Sequence, residues 1–539
     1  MKPHAKQLFW NALLLSAASL LVRTVGVSFQ VYVSNRAGAE AMGLFSLLSG
    51  IYGFALTLAT SGIHLGVTHL VVEAVGSNQA FRIRPIMRRA TLYALGFGAL
   101  SSLLLFSFAE PIGLYLLKDA RTVTSLRLLG ITLPIIALSS AWGGYFTAVR
   151  RPYKNAAVQV TEQALKIGAT MYLLTFFTAS DAESVCCALV IGGAAAELLS
   201  FIIEAALYFA DRKKHFGVAS VTDGQGILKK LLGITLPLAL TTYVRSGLLS
   251  LQHILIPEGL RNSGSTHAAA LIAYGSIQSM ALPVILYPAA LIASFSGLLI
   301  PELAEANVEK SEKHISYMIG RVWSLSMIFS IGVAGVLICF SGEIGNALYP
   351  GTEAGYYIRI LAPLIPIMYV DTATDAMMKG LGEQVFSMRI NIADALLSVA
   401  LVWLFIPRYG IDGYIATIYF SETFNTVLSI THLLTVSRSP AHPIKWVYKP
   451  LLCIVGATSV IRLCGHILPL DFSSAPLSIL LHCTLTVIIY LLLLRLTGAI
   501  DGEEASWIRG LFFKQEAPRH SVWKRRDADR KRNQNNFSG

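Results

Sequence analysis

The chain has 539 residues, 54% of them hydrophobic and only 14% charged, with a mean hydropathy of +0.60. A soluble protein carries about 25% charged residues, so a soluble enzyme is excluded, and long apolar runs from Leu8 to Leu494 exclude the short alternating strands of a membrane β-barrel. The net charge of +12 is no nucleic-acid signal, because much of the excess lies in short loops and in the C-terminal tail, where it reports membrane topology.

Taken in chain order, apolar runs long enough to cross a bilayer predict about fourteen helical spans. They lie near 8–34, 41–74, 88–109, 124–148, 155–178, 185–210, 228–256, 268–300, 317–340, 357–379, 387–406, 411–436, 447–468 and 475–496. The first run is too long for the apolar core of a cleaved signal peptide. Ser61-Gly62 is expected to interrupt span two, and Pro283 with Pro288 to kink span eight. The six cysteines all fall in apolar segments without metal-ligand spacing and imply no disulfide. His64, His69, His253 and His432 are scattered, and each reads as an intrahelical hydrogen-bonder. Ala37–Gly43 and Gly192–Ala196 read as close-packing surfaces.

Alternate loops carry clusters such as Arg82, Arg84, Arg88 and Arg89, then Arg150, Arg151 and Lys154, then Arg212, Lys213 and Lys214. The opposite loops hold only Arg36, Lys118, Arg121, Arg127, Arg261, Arg359 and Arg408. This asymmetry places both termini in the cytoplasm. The tail beyond Ala505 mixes Trp507, Phe512, Phe513 and Trp523 with Arg509, Lys514, Lys524, Arg525 and Arg526, a solvated end or an interfacial segment held by anionic lipid.

The chain also repeats itself. Arg127-Leu-Leu-Gly-Ile-Thr-Leu-Pro134 opens span four and Arg359-Ile-Leu-Ala-Pro-Leu-Ile-Pro366 opens span ten, and at the same offset Glu162 falls on Asp394. Leu70-Val-Val-Glu73-Ala and Ile300-Pro-Glu302-Leu-Ala each precede a basic loop. A period of about 230 residues is too long for a solenoid. It describes two six-helix lobes in the same orientation, a parallel repeat. The expected division is 1–215 and 216–437 for the lobes, 438–500 for two further spans, and 501–539 for a basic cytoplasmic tail. The fold class is therefore an all-α polytopic membrane protein.

Arg23 and Arg245 sit near the middle of the spans that open each lobe. A guanidinium at the bilayer midplane costs at least ~2.5–3.5 kcal/mol unless it meets a partner or a wet cavity. Two at matching places point to a polar cavity that attracts an anion, and hence to a transporter. The alternative is pairing inside the bundle with Glu197, Glu204 or Asp371. Glu162 and Lys166 share a helix face and read as an internal ion pair, with gating or proton handling as the alternative. Glu197, Glu204, Asp371, Asp375, Asp394 and Glu422 are further intramembrane carboxylates, candidates for helix-interface bonding or for coupling a proton. Asp371, Asp375, Asp394, Asn391 and Thr372 also offer oxygen ligands for sodium. No phosphate loop, metalloprotease motif or nucleophile elbow occurs, so neither catalysis nor a cofactor or resident metal is expected. Without a nucleotide-binding domain, energy comes from an ion or substrate gradient or the membrane potential.

The opening of the chain is more specific. Arg23 mid-helix is followed by Ser34-Asn-Arg36-Ala-Gly38-Ala-Glu40-Ala-Met-Gly43-Leu-Phe and by Ala59-Thr-Ser-Gly62-Ile. With two six-span lobes and two extra spans, this resembles the multidrug/oligosaccharidyl-lipid/polysaccharide exporter superfamily. Within it the chain is most similar to the stage V sporulation protein B branch of the polysaccharide transporter family, related to lipid II flippases. The resemblance implies a V-shaped cavity between lobes, alternating access, and movement of an undecaprenyl-pyrophosphate-linked saccharide across a bacterial cytoplasmic membrane. It also implies cationic cavity residues, matched directly by Arg23 and by position by Arg245. The implied partners are that lipid-linked substrate, membrane lipids and a coupling proton or sodium ion, with no nucleic acid. Two other readings stand beside it: a multidrug/cation antiporter of the same superfamily, and a non-transporting scaffold for polysaccharide synthesis.

Overall fold

The structure, a computed structural model, describes residues 3–77, 79–176, 182–215, 226–437, 444–467 and 476–499. The C-terminal tail read from the sequence lies outside the described residues. Among them the chain is helical throughout, without a strand, and it is a multi-pass membrane protein.

Twelve helical segments are long and apolar enough to cross a bilayer. Two of them, Leu20–Gly76 and Gln384–Ser437, each hold two crossings. Their hairpins turn on a single residue, Gly38 (φ 79°, ψ 167°) and Gly410 (φ 59°, ψ −132°), where only glycine bends without strain. Gln30 and Ser46, eight residues either side of Gly38, both bond Ser279, and Ser398 bonds Ser421 across Gly410. The more polar helix Pro152–Leu173, which carries Glu162 and Lys166, packs beside Ala182–His215. Segments His267–Leu286 and Ala289–Val308 form one long bent crossing. Counted this way, the described crossings match the expected order.

The expected interruptions are present. Span two breaks between Thr60 and Ile63, where Ser61 (φ 46°) and Gly62 (φ 70°) are both left-handed. Span eight widens to a π-turn over Ser276–Ala281 and breaks at Tyr287-Pro288. The cause of the second break is visible. Pro288 has no N–H to give, and the Tyr369 hydroxyl is inserted into the ladder, donating to the Ile285 carbonyl at 2.6 Å and meeting the Ala289 amide. Tyr369→Phe removes both bonds, and a loss of about 1–3 kcal/mol is expected, read as a lower melting temperature in detergent.

Spans two and eight approach closely through Gly43 and Gly275. A Cβ on Gly43 would stand 2.1 Å from the Leu271 carbonyl oxygen, and one on Gly275 2.3 Å from that of Ala39. Gly192 meets Thr170 in the same way, at 2.3 Å, so both small-residue stretches are packing surfaces. The two C-terminal helices, Lys449–Ile467 and Pro476–Leu496, dock on Glu312–Cys339, where Tyr490 donates to the Ile328 carbonyl at 2.8 Å. Two histidines differ from the sequence reading. His253 bonds Tyr274 of span eight at 2.7 Å, and His432 bonds Glu383 at 3.0 Å while stacking on Phe386. They tie helices together rather than bonding within one.

Candidate substrate cavity

Arg23 is exposed, and its Nη2 donates to the Leu286 carbonyl at 3.0 Å. That carbonyl is available because the Ala290 amide turns to Tyr287 instead at the proline break. Thr24 joins the same place, its hydroxyl 2.9 Å from that of Tyr287. One arm of the guanidinium fork therefore caps a broken helix, and no carboxylate pairs with Arg23 among the described residues. The remaining N–H donors have no acceptor among the described residues.

Arg245 is also exposed and holds no hydrogen bond or ion pair among the described residues. Its helix neighbours Tyr243, Ser246 and Ser250 bond Ser61, Thr57 and Gly50 of span two, so one face of the Ile227–Asn262 helix is committed. The Arg245 charge reaches Asp371 and Asp394, and that of Arg23 reaches Tyr369. Among the described residues, the pairings weighed from the sequence, with Glu197, Glu204 or Asp371, are not made as direct contacts.

The carboxylates gather in two clusters. In the first, Glu162 and Glu197 come close to each other from neighbouring helices. Lys166 acts on both through space, and among the described residues the i, i+4 pair read from the sequence is not drawn into a direct ion pair. Glu204 is buried, bonds Ser139 and lies beside His64 across Gly143. In the second, Asn425 donates to Asp371 Oδ2 at 3.0 Å and Ser429 bonds the same carboxyl, while Asp371 Oδ1 and Asn425 Oδ1 are buried without a close partner among the described residues. Ser421 donates to Asp394 at 2.6 Å, and Glu422 lies within electrostatic reach of Asp371 and Asp394. Asp375 is spent on Lys379 (2.7 Å) and Ser387, while Asn391 and Thr372 bond their own helix backbones. The two orphaned oxygens are hard acceptors that suit a proton or a sodium ion. The sequence reading missed Asn425, Ser421, Ser139 and Tyr369. No three His, Cys, Asp or Glu side chains converge as ligands of a metal among the described residues.

At the Gly38 end of the bundle a separate ionic cluster joins four elements. Asp119 is 4% exposed, and Arg121 grips it through Nε (3.0 Å) and Nη2 (2.8 Å) while reaching Glu40 at 3.0 Å. His267, at the start of span eight, bonds Asp119 at 2.9 Å, and Lys118 pairs with Glu258 of span seven. Burial pushes the Asp119 carboxyl up, but hydrogen bonds from Arg121 and His267 outweigh it and hold it below the usual range. A depressed carboxylate contributes stability that is complete above its unfolded value, about 3.9, and is lost as pH falls through the lower folded value. Asp119→Asn is therefore expected to lower stability by about 1.5–3 kcal/mol at neutral pH. The gap between the two melting temperatures should close only in strong acid.

Among the described residues the chain is a multi-crossing helical bundle with exposed arginines inside two of its apolar segments. The MatE family model matches residues 15–160. Stage V sporulation protein B of Bacillus subtilis (strain 168) is 24% identical over 441 residues, 80% of this chain and 84% of the relative. Among solved structures, the lipid II flippase MurJ in an inward closed conformation superposes with a TM-score of 0.67 at 14% identity, covering 89% of this chain and 98% of MurJ. An inward-facing multidrug resistance MATE family transporter of the MOP superfamily gives 0.57 at 15% identity, covering 78% and 100%. The chain carries the fold common to MATE transporters and MurJ and is similar in sequence to stage V sporulation protein B, in agreement with the resemblance read from its opening motifs.

Proposed function

We propose that this protein is a flippase that moves an undecaprenyl-pyrophosphate-linked saccharide across the bacterial cytoplasmic membrane by alternating access between two six-helix lobes, with both termini in the cytoplasm. The observation that supports this most is the state of Arg23 and Arg245. Both are exposed, and among the described residues neither is neutralised by a carboxylate. Two unspent guanidinium groups inside a membrane need an anionic guest, and their planar forks suit the oxygens of a pyrophosphate. The fold shared with the lipid II flippase MurJ supports the same reading.

In this mechanism the pyrophosphate draws Arg23 away from the Leu286 carbonyl. Span eight then loses the cap on its break and is free to re-bend, which couples substrate arrival to movement of the second lobe. The Glu162–Glu197 pair and the Asp371–Asn425 oxygens are the places where a proton or sodium ion would bias the return. Leaflet accessibility of a labelled undecaprenyl-pyrophosphate glycan in proteoliposomes tests the reading, with a lipophilic cationic drug as the second cargo. Exposure of the glycan without drug uptake supports it. Drug uptake without glycan exposure assigns the carboxylates to a cation antiporter and removes the flippase reading.

A further inference from the structure

At the opposite end of the bundle from Gly38, a cavity of about 560 Å³ opens among the ends of spans two, three, four and six. Its walls include Val72, Val75, Ile83 and Val149, and its rim is Arg150 with Arg151. Val72 and Val75 are 50% and 47% exposed, an apolar lining at the end of a membrane helix that water would serve poorly and an acyl chain well.

Arg150 has no hydrogen-bond or ion-pair partner among the described residues. The carboxylate in the cavity, Asp211, is not available to it, being held by Arg151, by Lys154 at 2.8 Å and by Tyr145 at 2.9 Å. Arg150 also stands where glycine is the usual choice. It is left-handed (φ 59°), and the Arg150 and Arg151 amides return to Thr147 (3.2 Å) and Phe146 (2.9 Å) in a glycine-type helix ending. A basic side chain there complements the helix dipole, but it would do so equally one or two positions away without backbone strain.

We propose that this cavity is a binding site for an anionic phospholipid of the surrounding leaflet, with one acyl chain along the valine wall and the headgroup phosphate on Arg150. The site lies apart from Arg23 and Arg245 and does not depend on what the protein transports. Full-length protein in an uncharged detergent is melted while phosphatidylglycerol, phosphatidylcholine or inorganic phosphate is titrated in. Phosphatidylglycerol should raise the melting temperature saturably, and neither other additive should match it. Arg150→Gly relieves the strained turn, so its lipid-free melting temperature should equal or exceed that of the wild type, while its affinity for phosphatidylglycerol weakens about fivefold. Val75→Trp, filling the apolar wall, should lose the phosphatidylglycerol response with the charge intact. Equal stabilisation by phosphatidylcholine or by inorganic phosphate overturns the proposal, as does wild-type phosphatidylglycerol affinity in Arg150→Gly.

Discussion

Arg245→Ala is expected to slow glycan exposure in proteoliposomes by about 10- to 100-fold, the loss of one charge-assisted hydrogen bond to the pyrophosphate. The same substitution should leave the melting temperature almost unchanged, because Arg245 has no bond to lose among the described residues. Arg23→Ala should differ from it in one respect. It removes the cap on the Leu286 carbonyl, so a comparable loss of transport should come with a stability loss of about 1–2 kcal/mol. Lysine at either position should restore part of the rate, since it keeps the charge but not the planar fork. The assay paired with a thermal melt reads all four variants. If Arg245→Ala melts several degrees lower and transports normally, the residue is structural and the anion site is lost from the account.

Gly275→Ala is expected to have the largest effect on the fold. The added Cβ would meet the Ala39 oxygen at 2.3 Å and the Gly43 nitrogen at 2.6 Å, and backbone atoms have no rotamer by which to yield. Spans two and eight must part, at or above the upper end of the about 1–3 kcal/mol typical of overpacking. Gly43→Ala should behave alike, since its Cβ would enter the Leu271 carbonyl at 2.1 Å. This gives the Gly38-Ala-Glu40-x-x-Gly43 motif a physical account. Gly38 makes the turn, Glu40 pairs with Arg121, and Gly43 admits span eight. Gly53→Ala, farther along the same helix with nothing within 4 Å of the added carbon, is the control and should be neutral or mildly stabilising. Equal melting temperatures for Gly53→Ala and Gly275→Ala would mean that the two spans do not meet as described.

The order of crossings was legible because apolar runs and their glycine and proline interruptions are local signals. Ser61-Gly62 and Pro288 announce breaks by backbone chemistry alone. The site was legible only where charge stood out against an apolar background. Arg23 and Arg245 could be found that way, but the partner of Arg23 is a main-chain carbonyl, which no residue type reveals. Glu162 and Lys166 looked paired by spacing, and the nearness of Glu197, which comes from another helix, is not readable from that spacing. Asn425 and Ser421 escaped notice because amide and hydroxyl groups are common in membrane helices, and only the fold shows that they hold Asp371 and Asp394. Glu40 read as part of a turn motif, and its partner Arg121 lies across a loop.

The most direct test of the central claim is equilibrium binding of a short-chain prenyl-pyrophosphate saccharide to purified wild-type and Arg245→Ala protein, with the neutral prenyl saccharide lacking phosphate as reference. The account predicts that only the pyrophosphate compound binds the wild type well and that the variant binds it at least about tenfold more weakly. Equal affinity in wild type and variant, or equal affinity for the charged and neutral compounds, would contradict it.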